Sequence, residues 1–185
     1  KAGSYEGKLL RAFSVHTKNE VFGDKPYTTE SHYERHNITY ENNDPDRVDS
    51  YEETGVMPNS SEYRLFRSDI EYNDRDQITE FHEERWDKAV DGSETKTTTD
   101  AEFEYVEAPH LFGDDVDFDP KRLSKSTLTT VTEEANGATD TETKVITYDY
   151  DKTFKLVGAS GTIEKNGKLA PTIEYRDAAG HTLST

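Results

Sequence analysis

The stretch ITYDYDKTFKL, residues 146–156, has the pattern on which the fold of this chain depends. Its first half alternates apolar or aromatic residues with polar ones, an acidic segment follows, and another apolar residue begins a new segment. A period of two is that of a β-strand, whose successive side chains point to opposite faces of a sheet. The stretch therefore predicts the end of one strand, a turn and the start of the next strand.

Units of the same kind recur along the chain. Each has an apolar residue, any residue and an aromatic residue, and a polar turn follows in the complete units. They begin at Ile38, Ile70, Phe103, Ile146 and Ile173. Dipeptides that favour tight hairpin turns lie between the strand-like segments, at Asp91-Gly92, Asn136-Gly137 and Asn166-Gly167. The last of these, in KNGK, is the strongest predictor of a type I′ turn.

Helical periodicity is almost absent, because few windows place apolar residues at intervals of three and four. A turn or two of helix near GDKPYTTE or DPKRLSKS is the most that the sequence favours. We therefore predict an all-β protein, an antiparallel meander of hairpins that is curled as a barrel or sandwich and has at most one short helix.

The composition predicts a folded chain with a thin core. Of the 185 residues, 31 % are hydrophobic and 33 % charged, but 11 tyrosines and 8 phenylalanines argue against disorder. We expect these aromatic side chains to supply much of the buried area. We predict a single β-rich domain over residues 1–185, with a candidate internal boundary near residues 53–62, where Gly, Pro and Ser cluster.

The net charge limits the partners. The 39 acidic and 22 basic residues give a formal charge of −17, which repels nucleic acid and anionic membrane surfaces. No apolar run is long enough for a transmembrane helix. The absence of cysteine excludes disulfides and thiolate metal sites. A chain that begins at Lys1 without a signal peptide resembles a mature exported protein, so we expect it to be secreted, periplasmic or on the cell surface.

Two units, YDYDKTFKL and YRDAAGHTL, resemble the tyrosine-aspartate repeats of Rhs-type and teneurin-type proteins. In that family, strand-turn-strand units carry a Tyr-Asp pair followed by Gly, Arg or Asn and Leu. The repeats coil into a long β-sheet, which in the large members forms a shell around a cargo or toxin region. The resemblance implies a curled sheet of hairpins here, in a chain too short to enclose a cargo.

Two groups of side chains have the spacing of metal ligands. His32, Glu34 and His36 would lie on one side of a strand and could ligate zinc with one position open. The alternative is an exposed, charged strand whose continuation at Ile38 and Tyr40 enters the core.

Carboxylates alternate in GDDVDFDP, at Asp115, Asp117 and Asp119. Their oxygens suit Ca²⁺, although Pro120 stands where an EF-hand has its turn glycine. Acidic turns that keep a sheet edge soluble are the alternative. Apart from a candidate Ca²⁺, the sequence predicts no cofactor.

Trp86 is the single tryptophan, and together with Phe81 and Tyr72 it could form a platform on which a sugar stacks. A lone tryptophan on a strand is alternatively a core or cross-strand packing residue. The chain has no nucleophile elbow, phosphate-binding glycine loop or dinucleotide fingerprint. These observations predict that the protein is not an enzyme.

The sequence thus predicts a non-catalytic, lipoprotein-like binding protein of the bacterial envelope or cell exterior. We expect it to engage a protein partner through a Tyr/Thr-rich, acidic sheet surface. Two alternatives stay open. One is a carbohydrate-binding or calcium-stabilised surface module, and the other is an immunity or inhibitor protein for a basic partner.

Overall fold

The structure is a computed structural model that describes residues 2–6, 9–21, 27–106, 122–150, 156–170 and 173–174. These residues form one antiparallel sheet of twelve strands. The strands are β1 (Ala2–Glu6), β2 (Leu9–Val21), β3 (Tyr27–Tyr40), β4 (Val48–Val56), β5 (Glu62–Tyr72), β6 (Ile78–Lys88), β7 (Glu94–Tyr105), β8 (Leu123–Glu133), β9 (Thr139–Tyr150), β10 (Leu156–Lys165), β11 (Lys168–Leu169) and β12 (Ile173–Glu174).

Strands β1 to β11 lie side by side in chain order, and β12 pairs with β10. The prediction of an all-β, antiparallel meander is therefore confirmed. The two edges of the sheet do not pair with each other within the described residues, so closure into a barrel or sandwich stays a prediction. Within the same residues, no second layer packs on the sheet.

The helical residues of the described chain are Glu41–Asn43, a single 3₁₀ turn between β3 and β4. Within the described residues, neither of the two segments in which the sequence favours a helical turn is helical, and both are largely strand. Residues 27–30 pair with β2, and residues 123–126 pair with β7 and β9. Ladder hydrogen bonds on neighbouring strands outweigh the weak local preference for a helical turn there.

Alternation along the strands gives the sheet two faces, which we call the core face and the polar face. The core face carries the buried cluster Ile38, Tyr51, Leu65 and Ile70. The polar face carries the side chains in between. One of its rows runs directly across β3 to β7 and consists of His36, Glu52, Phe66, Glu84 and Thr98.

Arginine side chains cover aromatic rings of the core face. The Arg35 guanidinium lies 3.9 Å from the centre of the Tyr51 ring, and that of Arg67 lies 4.1 Å from the centre of the Phe81 ring. Arg35 also donates to Glu53 at 2.6 Å. Cation–π stacking of this kind shields apolar surface while the charge stays paired. It explains how a chain with so many charged residues builds a core.

Tyrosines join the two strands of four hairpins, β2–β3, β4–β5, β6–β7 and β8–β9. Tyr40, Tyr72, Tyr105 and Tyr150 end β3, β5, β7 and β9. Each hydroxyl donates a hydrogen bond to a carbonyl near the start of the preceding strand, which we call the tyrosine–carbonyl bond. The acceptors are Leu10, Val48, Ile78 and Leu123, at 2.7, 2.9, 2.6 and 2.8 Å. In the units that begin at Ile38, Ile70 and Phe103, the aromatic residue therefore has a structural role. In the unit that begins at Ile146, Tyr150 forms the bond, two residues after the aromatic residue Tyr148.

Tight turns connect the paired strands at the ends that lie away from the tyrosine–carbonyl bonds. Residues 57–61, 89–93 and 134–138 form the same five-residue turn, in which the first N–H donates to the fifth carbonyl at 2.9 Å. The fourth residue has a positive φ: 64° at Ser60, 86° at Gly92 and 82° at Gly137. Asn166 and Gly167 both have positive φ in a two-residue loop, as a type I′ turn requires. The predicted hairpin turns are thus confirmed, and the 57–61 turn lies inside the stretch that resembled a boundary.

Candidate binding surface

Trp86 lies on the polar face between two cations. Arg64 on β5 and Lys96 on β7 are its direct cross-strand neighbours. The Arg64 guanidinium lies 4.3 Å, and the Lys96 ammonium 5.3 Å, from the centre of the indole. Lys96 also donates to Glu84 at 2.5 Å. Trp86 therefore packs across three strands of an open sheet surface.

The structure does not bring Trp86 together with Phe81 and Tyr72. Phe81 precedes Trp86 by five residues on β6, so its side chain lies on the core face, where Arg67 covers it. Tyr72 also packs against the core cluster, and its hydroxyl is bonded to Val48. No ligand ring can therefore stack on Trp86 and Phe81 at the same time.

Exposed apolar side chains lie near Trp86 on the same face. Phe66 is 36 % exposed and Val56 is 40 % exposed. Phe66 follows Arg64 by two residues on β5, and Val56 pairs with Glu62 on the same strand. We call Val56, Arg64, Phe66 and Trp86 the Trp86 patch. Aromatic residues and arginine are the types enriched in the centres of protein interfaces.

Carboxylates surround the Trp86 patch and continue along the face. Glu71, Glu80 and Glu102 lie directly opposite one another on β5, β6 and β7, and all three are exposed. None of them forms an ion pair with a residue that the structure describes. Like charges directly opposite each other destabilise a sheet. This glutamate row therefore lowers stability in the isolated chain and attracts positive groups.

The glutamates of β7 also affect Lys125 on the neighbouring strand β8. The pKa of Lys125 is raised, chiefly by its hydrogen bond to Glu104 at 2.7 Å and further by the charge of Glu102. A raised lysine pKa means that the ammonium form is favoured at this place. The polar face next to the glutamate row thus has a negative potential.

The predicted zinc ligands are only partly brought together. His32 Nε2 lies 3.3 Å from Glu34 Oε1, whereas His36 Nε2 lies 3.1 Å from Glu52 Oε2 on β4. His16 is not among the predicted ligands, but its ring lies opposite that of His32, with the ring centroids 6.0 Å apart. Across the described ranges, no group of three or more His, Asp or Glu side chains is arranged to hold a metal ion. The geometry gives the zinc hypothesis no support.

The predicted calcium ligands Asp115, Asp117 and Asp119 lie outside the described residues. A calcium site there stays a prediction, as does the expectation that the protein needs no other cofactor.

A scan against protein-family models and searches of curated proteins and of solved structures found no match for this chain. In the part of the chain that the structure describes, no helix has the length and apolar character needed to cross a membrane. The surface itself is therefore the basis on which a function can be proposed.

Proposed function

We propose that the protein is a non-catalytic binding protein and that it engages a basic protein partner through the polar face of its sheet. The observation that carries the proposal is an exposed apolar and aromatic patch within an acidic face that no second layer covers in the described chain. The Trp86 patch is the proposed centre of the contact, and the glutamate row is its charged margin.

The residue types favour this arrangement. Tryptophan and arginine dominate the binding energy of many interfaces, because they combine a large contact area with hydrogen-bonding groups. Phe66, 36 % exposed, adds apolar area whose burial by a partner is favourable. Carboxylates at the margin steer an oppositely charged partner and set its orientation. The formal charge of −17 extends this attraction beyond the contact itself.

Threonines and the Trp86 patch, not the tyrosines, are the proposed contact residues. The hydroxyls of Tyr40, Tyr72, Tyr105 and Tyr150 are already bonded to backbone carbonyls. Thr127, Thr129 and Thr143 lie on the polar face beyond the glutamate row, as their register with Glu102 and Asp100 indicates. The immunity or inhibitor alternative is one form of the same proposal, because it also requires a basic partner.

The experiment uses immobilised full chain and separate envelope, exterior and cytosolic fractions of the native cells. We expect capture of a basic protein from the envelope or the exterior, which is the place of action that we propose. Binding should weaken as salt is raised, because salt screens exposed charges. The captured protein is then purified, and its dissociation constant is measured against variants of the chain.

Two variants test the surface. Phe66→Asp should weaken binding at least about tenfold, which corresponds to about 1.4 kcal/mol. Glu80→Lys should also weaken binding. It should raise the free energy of unfolding by up to about 1 kcal/mol, because the new ammonium would attract the two glutamates on either side of it, which repel Glu80. Lost binding in a more stable protein cannot come from misfolding.

Asp46→Lys is the control, since it also replaces a carboxylate by an ammonium, at an exposed turn position between β3 and β4 that lies on neither face of the sheet. The proposal is wrong if Glu80→Lys and Asp46→Lys have equal effects on binding, if Phe66→Asp binds as the wild type does, or if the captured protein is acidic.

A further inference from the structure

The Arg64 side chain has donors that the described chain does not use. Arg35, Arg47 and Arg85 each form an ion pair with a carboxylate. Arg64 is exposed, its guanidinium stacks on Trp86, and no ion pair or hydrogen bond joins its side chain to another described residue.

The contact with Trp86 does not use the N–H groups of the guanidinium. The central carbon of the guanidinium lies over the indole, 4.3 Å from the ring centre, which is a cation–π contact and not a hydrogen bond. The planar fork matches a carboxylate, to which it can donate two parallel hydrogen bonds. Because the indole already restricts the side chain, little further conformational entropy is lost when a ligand binds.

A hollow adjoins this guanidinium. It measures about 400 Å³ and its lining includes Glu62, Arg64, Trp86, Lys88 and Glu94. Lys88 is a second cation, with its ammonium 3.9 Å from a carboxylate oxygen of Glu62, at the outer limit of an ion pair. The hollow therefore combines a free guanidinium, an ammonium, an indole and two carboxylates that accept hydrogen bonds.

We propose that this hollow binds a sugar that carries a carboxylate, a hexuronate residue. The ligand carboxylate accepts two hydrogen bonds from Arg64, and Lys88 supplies a second positive charge. Sugar hydroxyls donate to Glu62 and Glu94, and the apolar C–H surface of the ring contacts Trp86. A bare carboxylate would leave the two glutamates without donors, and a neutral sugar would leave Arg64 unpaired, so neither satisfies the whole set.

This site shares Arg64 and Trp86 with the proposed protein contact, but sugar binding needs no protein partner. The hollow lies at the end of the Trp86 patch nearest Glu62 and Glu94, whereas the protein contact also extends across Phe66 to the glutamate row. Trp86 is the single tryptophan of the chain, so a titration with a purified sugar can be followed by its fluorescence.

The test is a titration of the full chain with trigalacturonate at constant ionic strength, followed by Trp86 emission and by isothermal calorimetry. Neutral maltotriose and sodium acetate are the comparison ligands. We expect saturable binding of trigalacturonate, at least tenfold tighter than that of either comparison ligand. Arg64→Ala should weaken it at least tenfold, and Arg64→Lys should also weaken it, because one ammonium cannot form the two parallel bonds.

Arg75→Ala is the control, since Arg75 is an exposed arginine outside the hollow. Thermal unfolding of each variant shows that it is folded. Equal binding of acetate or maltotriose, an unchanged affinity in Arg64→Ala, or no calorimetric binding of trigalacturonate would each overturn the proposal. Such a result leaves the protein-partner proposal standing, because Phe66→Asp and Glu80→Lys test that proposal with other residues and another ligand.

Discussion

Replacement of Tyr72 by phenylalanine tests whether the tyrosine–carbonyl bonds stabilise the sheet. The substitution removes one hydroxyl, which donates to the Val48 carbonyl at 2.9 Å, and leaves the ring in place. Burial raises the pKa of Tyr72, so the hydroxyl lies in a poorly solvated place. A neutral hydrogen bond contributes about 1 kcal/mol, and a carbonyl left without its donor adds to the loss. We therefore expect Tyr72→Phe to lower the unfolding free energy by about 1 to 1.5 kcal/mol.

The assay is urea unfolding followed by circular dichroism, with thermal unfolding as a second measurement. For a chain of this size, a loss of 1 kcal/mol lowers the Tm by about 2 to 4 °C. The four tyrosine–carbonyl bonds are two strands apart, or about 10 Å, so their losses should add. A variant in which Tyr40, Tyr72, Tyr105 and Tyr150 are all phenylalanine should then lose on the order of 4 kcal/mol.

Tyr5→Phe is the matched control, because Tyr5 is 69 % exposed. It should leave the urea midpoint unchanged. If Tyr72→Phe is as stable as Tyr5→Phe, the hydroxyl bond is exchanged for water at no loss, and the structural role given to the repeated aromatic residue is refuted.

Three further changes test the turns, the packing and the ionisation of the sheet. Ser60→Gly should raise the free energy of unfolding by about 1 kcal/mol, because Ser60 has φ 64° at the position that Gly92 occupies in the equivalent turn 89–93. A lower urea midpoint would contradict this. Gly55→Ala should lower stability by about 1 to 3 kcal/mol, because the new Cβ would lie 2.5 Å from Tyr63 Cε1 and 2.8 Å from a backbone oxygen; an unchanged midpoint would show that the ring moves freely. Burial, followed by the hydrogen bond to Glu53, raises the pKa of Tyr63 above its ordinary value of 10.0. The unfolded chain then ionises first, so the contribution of Tyr63 is complete below pH 10 and is lost as the pH rises further. Urea unfolding between about pH 8 and 11 should show a fall in stability that is smaller in Tyr63→Phe, and an equal fall in both proteins would contradict the assignment.

Part of the candidate surface could be predicted from the spacing of residues along a single strand. Trp86 and Phe81 are five residues apart, and an odd separation on one regular strand puts two side chains on opposite faces. The predicted sugar-binding platform, which includes both side chains, is inconsistent with that spacing. The alternation in SEYRLFRSDIEYN changes phase, however, and nothing local shows on which face Phe66 lies. Its register with Glu52 and Glu84 on the neighbouring strands decides that.

The sequence by itself determined the antiparallel sheet, because a period of two and the backbone preferences of turn residues are local properties. It also determined the net charge and the recurrence of an aromatic residue near strand ends. The tertiary structure decided which side chains share a face. Asn37 and Asp69, each with φ 53°, interrupt the pairing of β3 with β4 and of β5 with β6 and shift the alternation by one residue. Such a shift turns every following side chain to the other face, and only hydrogen bonds to strands distant in sequence fix where it occurs.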